Sequence, residues 1–548
     1  MASRFVYPYA VSETEIPKQQ TPDSAVDRAA GSGRVWIGCL LFGLAACLFY
    51  FVVEIYLLGG ELGFPLDDSW IHLQFARNLF AGHGLSFNPE VLVPGSTAPL
   101  WTALLSLIFL LPGNPLFWTK LFGLVLYLVG GHLTFRLARE MGLRYWPANL
   151  AALVTLATSW LVWSALSGLE ISLFIVLSLA GILAHIRERR EPSRIPLSLP
   201  ILALSFLARP EAALLILAAV VDRFLVFQHS AGDRVRWHRP KWRDLFMGLG
   251  IVAIIAAPVL FFNLSVTGSV LPTTFGAKSG GIVRWLPEMG YLYTVFGIFF
   301  QAQPWMALLA GAGALVLIGD LASKKDVGLL PVLWLFGLPF AYGLIDPPGP
   351  TNLVGNFGRY YFPLFPIVVI LGVLAVQGAA ERLASSIRPG ISRSLVRLLT
   401  VLVLLLPTLT ELAQGAGRYA QGVVNVQDSD VRVARWLSRR LAPEAVLGVG
   451  DIGAIKFLLP NPVVDLAGIA SPEIKAWGAV PFLEHYRPDY LVIFPHWLHK
   501  LFEDVSDFPV VQEFPIDNNI TMAGDVLVVY ATPWTRFPLV NPADGADP

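Results

Sequence analysis

Charged side chains are scarce in this chain. Lys, Arg, Asp and Glu make up 14% of 548 residues, against about 25% in soluble domains. With 55% hydrophobic residues and a mean hydropathy of +0.61, that deficit excludes an ordinary soluble enzyme. The 39 basic and 39 acidic residues cancel, so net charge gives no sign of a nucleic-acid partner. Cysteine is nearly absent: Cys39 and Cys47 both lie in the first apolar run. On a helix they would stand about 12 Å apart along the axis, too far to bridge, which leaves no disulfide framework and no cysteine metal motif. Internal repeats and low-complexity tracts are missing as well.

What the chain has is apolar runs. They recur with lengths suited to about 30 Å of hydrocarbon and predict an α-helical polytopic membrane protein with about 11–13 transmembrane helices. The candidate spans are 36–58, 97–111, 115–135, 148–165, 169–186, 196–209, 211–227, 245–263, 304–321, 328–345, 361–378 and 395–414, with 290–302 as a partial or re-entrant piece. Residues 1–35 read as a disordered cytoplasmic tail, and the first span as a signal anchor. Basic clusters at 187–190, 234–243, 324–325 and 382–397 belong on the cytoplasmic side. That puts the N-terminus inside, and the loop 59–96 and the C-terminal region outside. One conflict stands: Arg136, Arg139 and Arg144 should also be inside, yet two crossings at 97–111 and 115–135 would put them outside.

The membrane domain is expected over 36–418 and an extracytoplasmic α/β domain over 419–548. Residues 428–441 read as an amphipathic helix with Val431, Ala434, Leu437 and Leu441 on one face. Short β-like runs follow at 445–449, 463–466, 490–494 and 526–531, separated by turn signals.

The assigned outer loops hold most of the reactive side chains. Asp67-Asp68 follows the first span, and Trp70 to Phe80 reads as a short amphipathic helix lying in the interface, ended by Gly82-His83-Gly84. Glu170, Arg209, Glu211, Lys278 and Arg359-Tyr360-Tyr361 lie at other outer ends. Ionisable groups at such depth face a cavity or one another. Singly, Arg209 and Glu211 are as well explained by pairing with each other. As a set, acids and cations on one side suit a phosphate-bearing lipid, with a carboxylate to deprotonate an acceptor hydroxyl. His72 and His83 stand near the acids; His83, between glycines, reads first as a turn residue.

The run Asp67-Asp68-Ser69-Trp70-Ile71-His72 through Asn78, with Gly82-His83-Gly84-Leu85-Ser86-Phe87-Asn88-Pro89, resembles the first outer loop of GT-C glycosyltransferases. The subgroup it is most similar to is the bacterial polyprenyl-phosphate-sugar enzymes, terminal arabinofuranosyltransferases and mannosyltransferase-like enzymes among them. Both acids, Ile71, Asn78, Gly82, Gly84, Asn88, Thr97 and Trp101 fit that pattern. Gln74, Pro94, Ser96 and Ala98 depart from it, which bears on the sugar and acceptor. Ser167 to Glu170, Ala208 to Glu211, Pro272 to Lys278, Gly358 to Tyr361 and the tail motifs at 449–454 and 464–469 follow in order.

The resemblance implies inverting transfer of a sugar from a polyprenyl-phosphate donor to an envelope glycan, lipid or protein acceptor at the bilayer's outer face. Asp67 would be the general base, with Asp68 beside it. Arg209, Lys278 and Arg359 would hold the donor phosphate. Arg77, Asn78, His83, Glu170, Glu211 and Tyr360 would position acceptor, sugar or loop. Some relatives use a divalent cation (Mg, Mn or Ca), for which Asp67, Asp68 and Glu170 are the available ligands. The competing readings are a lipid or glycan transporter or flippase, which calls for mid-span charges and paired broken helices, and a non-catalytic envelope scaffold, which leaves the acid pair without a task.

Overall fold

A computed structural model describes residues 32–190, 196–224, 227–229, 235–237, 242–270, 285–321, 327–344, 358–384, 393–497 and 508–540. Lys278, the basic pair 324–325 and the tail 1–31 lie outside the described residues.

Among the described residues six helices are long and apolar enough to cross a membrane: Val35–Leu57, Pro115–Glu140, Ile171–Arg190, Trp242–Thr267, Gly358–Arg382 and Leu399–Ser438. Two bent pairs raise the count to eight. Tyr145–Leu156 and Ser159–Leu166 meet at 58°, and Met289–Ala302 and Pro304–Gly319 at 118°, where the sequence suggests a re-entrant piece. Pro99–Leu110, Ser198–Ala208 and Leu330–Leu344 are shorter apolar helices. The chain is a multi-pass membrane protein.

The short element at 99–110 resolves the topology conflict. Twelve helical residues reach about 18 Å, well short of the hydrocarbon core, so 97–111 and 115–135 together make one crossing. Side-chain pairs agree: Glu140 accepts hydrogen bonds from Arg187 Nε at 2.9 Å and Arg190 Nη1 at 2.6 Å. The turn at 136–147 therefore lies on the same side as the basic turn at 187–190, as its arginines require.

The last span does not stop at the membrane. It runs from Arg393 to Val426, passes through a π-turn at Gln427–Val431 and continues as Arg432–Ser438. This stem carries the C-terminal sheet domain, the outer domain of the sequence expectation. Val431, Ala434, Leu437 and Leu441 are all buried, as their spacing predicts. The domain's five-stranded sheet has the order 463–465, 447–449, 490–493, 526–531, 510–515. The first three strands are parallel and the last two antiparallel to their neighbours. The edge strand Val510–Pro515 is the one missing from the sequence reading; its side chains are mostly exposed, so it carries no long apolar run.

The helix Asp67–Phe80 forms as the spacing predicts, with both aspartates in its first turn and Arg77 in its last, an arrangement the helix dipole favours. It does not lie half-exposed in the interface. Ser69 through Ala76 are all buried, because the outer domain closes over the helix. Arg77 Nη1 donates to the Phe457 carbonyl at 2.8 Å, and Asn88 exchanges two hydrogen bonds with the Val463 backbone.

Candidate active site

The acid pair starts this covered helix, and the two aspartates have different surroundings. Asp67 accepts the backbone N–H of Gly453 at 2.6 Å and of Ala454 at 2.7 Å. Only glycine fits at 453, since a Cβ there would stand 2.4 Å from the Asp67 carbonyl oxygen and 2.7 Å from Oδ1. Burial pushes the Asp67 carboxyl up to about 7; the two amides oppose this, and the charges of Asp68 and Asp465 add to it. Asp451, two residues before Gly453, is likewise raised, by burial and by the charges of Asp67, Asp68 and Asp465. Asp68 instead forms an ion pair with Arg359.

Beside this pair lies a second charged group. Arg209 holds Glu170 through Nη1 and Glu211 through Nη2, the latter at 2.7 Å. The Tyr342 hydroxyl donates to Glu211 at 2.8 Å, and His72 Nε2 lies 3.3 Å from Glu170. Burial alone would raise both glutamates, but Arg209 outweighs it and holds both below the usual carboxylate range. Tyr360 lies between the cations, its ring 4.8 Å from Arg209 and 5.8 Å from Arg359. Guanidinium–ring contacts of this kind leave the cation's edge available for oxygens.

Of the expected site residues, Asp67, Asp68, Glu170, Arg209, Glu211, Arg359 and Tyr360 come together. Arg77 and Asn78 serve the scaffold. Arg77 packs over Phe457 at 4.6 Å and bonds its backbone, while Asn78 Nδ2 donates to the carbonyls of Ser86 and Phe87. His83 sits in the turn between Gly82 and Gly84, both at positive φ, and its N–H closes the helix on Asn78. Three contributors were not foreseen as site residues: Tyr342, Asp451 and Asp430. Asp430, in the π-turn, is fully buried, and neither of its oxygens has a hydrogen-bond partner among the described residues. The tail motif Gly450-Asp451-Ile452-Gly453 marked the second of these; nothing in the sequence around Asp430 distinguished it from a helix surface.

The expected cation ligands are engaged by other groups in this structure. Asp67 faces two amides, Asp68 an arginine, and Glu170 an arginine and a histidine. Among the described residues no three His, Cys, Asp or Glu side chains are placed to hold a metal ion.

Comparison with known proteins agrees with this architecture. Residues 418–535 match a family model described as a domain of unknown function (DUF8728). The chain is 26% identical over 397 residues to a terminal beta-(1->2)-arabinofuranosyltransferase of Corynebacterium glutamicum, a match covering 66% of this chain and 55% of that enzyme. It thus spans little more than half the length of that curated relative. Among solved structures, ArnT of Cupriavidus metallidurans superposes with a TM-score of 0.54 at 14% identity, covering 90% of this chain and 97% of ArnT. The oligosaccharyltransferase AglB of Archaeoglobus fulgidus, solved with an inhibitory peptide and a dolichol-phosphate, gives 0.51 at 12% identity, covering 91% and 74%. The fold is that of ArnT and AglB, as the resemblance of the first loop implies.

Proposed function

We propose that the protein is an inverting glycosyltransferase that moves a sugar, a pentose in the first instance, from a polyprenyl-phosphate donor to an envelope glycan on the outer face of the bacterial inner membrane. The observation that carries this reading is the acid pair itself. One carboxylate is tuned near neutrality and the other is paired with a buried arginine, both beneath a docked outer domain. The fold, the arabinofuranosyltransferase relative and the dolichol-phosphate in AglB support the donor class.

In this reading Asp67 removes the proton from the acceptor hydroxyl. The freed oxygen bonds to the anomeric carbon from the face opposite the phosphate. The bond from that carbon to the phosphate oxygen breaks, and its electron pair leaves with the polyprenyl phosphate. A base with a pKa near the working pH suits the first step. Arg359 meets the leaving phosphate, exchanging Asp68 for a phosphate oxygen. Arg209 is held between two carboxylates, so a phosphate would have to compete for it; its part is to present Glu170 and Glu211 to sugar or acceptor hydroxyls. Lys278 remains a candidate third cation.

The test is sugar transfer and polyprenyl-phosphate release by purified full-length protein, given a panel of polyprenyl-phosphate pentoses and hexoses with arabinan and mannan oligosaccharides as acceptors. Release coupled to transfer from one donor supports the assignment. Well-folded protein that releases nothing from any donor sinks it and favours the transporter or scaffold.

A further inference from the structure

Directly beneath the site, inside the membrane domain, lies a charged cluster the proposed chemistry does not use. Glu54 and Lys120 are fully buried and paired at 3.0 Å. The Tyr419 hydroxyl accepts from Lys120 Nζ at 2.5 Å and lies 2.9 Å from Glu54 Oε2 and 3.1 Å from the Leu166 carbonyl oxygen. The three side chains come from three separate spans. A buried ion pair is a poor source of net stability, and ionisable groups within a membrane domain call for a reason.

The reason is in what else the cluster touches. The second oxygen of Glu54 accepts the N–H of Gly63 at 3.1 Å, four residues before Asp67. Gly63 is pressed so closely to the stem that a Cβ would meet Val423 at 2.6 Å. Lys120 also donates to the Leu166 carbonyl at 3.1 Å, four residues before Glu170. The two loops are then joined to each other: Ser69 Oγ donates to the Ser167 carbonyl at 2.6 Å. Phe64 seals the junction, lying 5.1 Å beneath Lys120 Nζ and packing under Gly168, where a Cβ would meet it at 2.7 Å. One ion pair thus fixes the loop that carries Asp67 and Asp68 and the loop that carries Glu170.

We propose that Glu54, Lys120 and Tyr419 are positioning residues of the active site, setting the distance between the acid pair and Glu170. The roles of those acids rest on the glycosyltransferase reading; the mechanical link between the loops does not.

The test uses Lys120→Met and Tyr419→Phe in the full chain, with Asp222→Asn as the control. Asp222 is an equally buried group, 2.8 Å from His185 Nε2 and 2.6 Å from the Leu329 N–H, away from the site. Tyr419→Phe keeps the ring and loses only the hydroxyl, so it folds even if Lys120→Met does not. Hydrogen–deuterium exchange should accelerate together in 63–70 and 166–172 in either cluster variant, and in neither segment in the control.

In the donor assay, kcat per folded enzyme should fall about tenfold in Tyr419→Phe and about hundredfold in Lys120→Met, the scale of a 1 Å misplacement. The donor KM and the pH of half-maximal rate should stay put, since phosphate contacts and base are intact. Native exchange in both loops, or an equal acceleration in the control, overturns the proposal. So does a loss confined to KM. Wild-type protein inactive with every donor refutes the glycosyltransferase reading alone, and exchange still decides the positioning role.

Discussion

Replacing Asp67 by asparagine should slow transfer by about 10²–10⁴-fold and flatten two pH profiles at once. The carboxyl is raised from 3.8 to about 7 by burial, against two backbone amides. As a general base it acts only when ionised, so the wild-type rate should rise with pH, about tenfold per unit below 7, and level off above. Removing a positioned base costs about 10²–10⁴-fold in rate, so the Asp67→Asn variant should lie that far below the wild-type plateau above about pH 7, with the gap closing about tenfold per unit below it. Stability runs the opposite way. A folded-state pKa above the unfolded value means the native protein holds its proton more tightly. That stabilisation is complete below about pH 4 and disappears as pH rises through about 7. A rise from 3.8 to about 7 corresponds to about 4 kcal/mol, shared with the neighbouring carboxylates that contribute to it. The asparagine keeps one acceptor oxygen for Gly453 or Ala454 but turns an N–H₂ toward the other amide, which costs about 1–3 kcal/mol. Initial rates and thermal inactivation of both proteins between about pH 5 and pH 9 provide the check. An Asp67→Asn kcat within about tenfold of wild type on the plateau above about pH 7, or a wild-type rate flat across the whole range, refutes Asp67 as the base. If Asp68→Asn loses the inflection instead, the base is its neighbour.

Three further outcomes follow from the same geometry. Gly453→Ala, 386 residues from Asp67 in sequence, should cut kcat about hundredfold in folded protein, because the new Cβ would stand 2.4 Å from the Asp67 carbonyl oxygen and 2.7 Å from its carboxylate; wild-type kinetics would show that the amide contact does not position the base. Exhaustive treatment with EDTA should leave turnover unchanged, since arginine, histidine and backbone N–H groups occupy the candidate ligands; a loss restored by Mg, Mn or Ca would refute this. Asp430→Asn should raise the temperature of thermal inactivation near neutral pH, because a carboxyl with both oxygens buried and unpartnered among the described residues carries a desolvation cost that an amide reduces; a lowered temperature would mean that Asp430 has a partner in the membrane-bound protein.

Local pattern made part of this legible. The acid pair after the first span, the glycines that end the covered helix and the buried face of residues 431–441 each follow from spacing within a dozen residues. The inner strands of the outer sheet are apolar runs and were readable; the exposed edge strand Val510–Pro515 was not. The run 97–111 has a span's hydropathy, yet its helix ends at Ser106 and one 3-10 turn follows, a break that hydropathy alone does not mark. What no local pattern could give is pairing. Glu54 meets Tyr419 across 365 residues and Asp68 meets Arg359 across 291, and neither partner's neighbours mark the contact.

Those long-range pairings give the two carboxylates different surroundings, and the proposed mechanism rests on that difference. By spacing alone Asp67 and Asp68 are equivalent, only the family resemblance singling out Asp67, and Arg209 and Arg359 are equally good phosphate ligands. In the fold, Arg209 is shared between Glu170 and Glu211, and both acids are held ionised. Arg359 balances Asp68. Asp67 takes its hydrogen bonds from N–H dipoles of the outer domain, with the carboxylates of Asp68 and Asp465 nearby. Amides orient a carboxylate without supplying a full positive charge, so burial wins and basicity rises. In the proposed mechanism the outer domain therefore does more than cover the site: its Gly453 turn orients Asp67, and burial beneath it raises that carboxyl to about 7, the range a base needs at neutral pH.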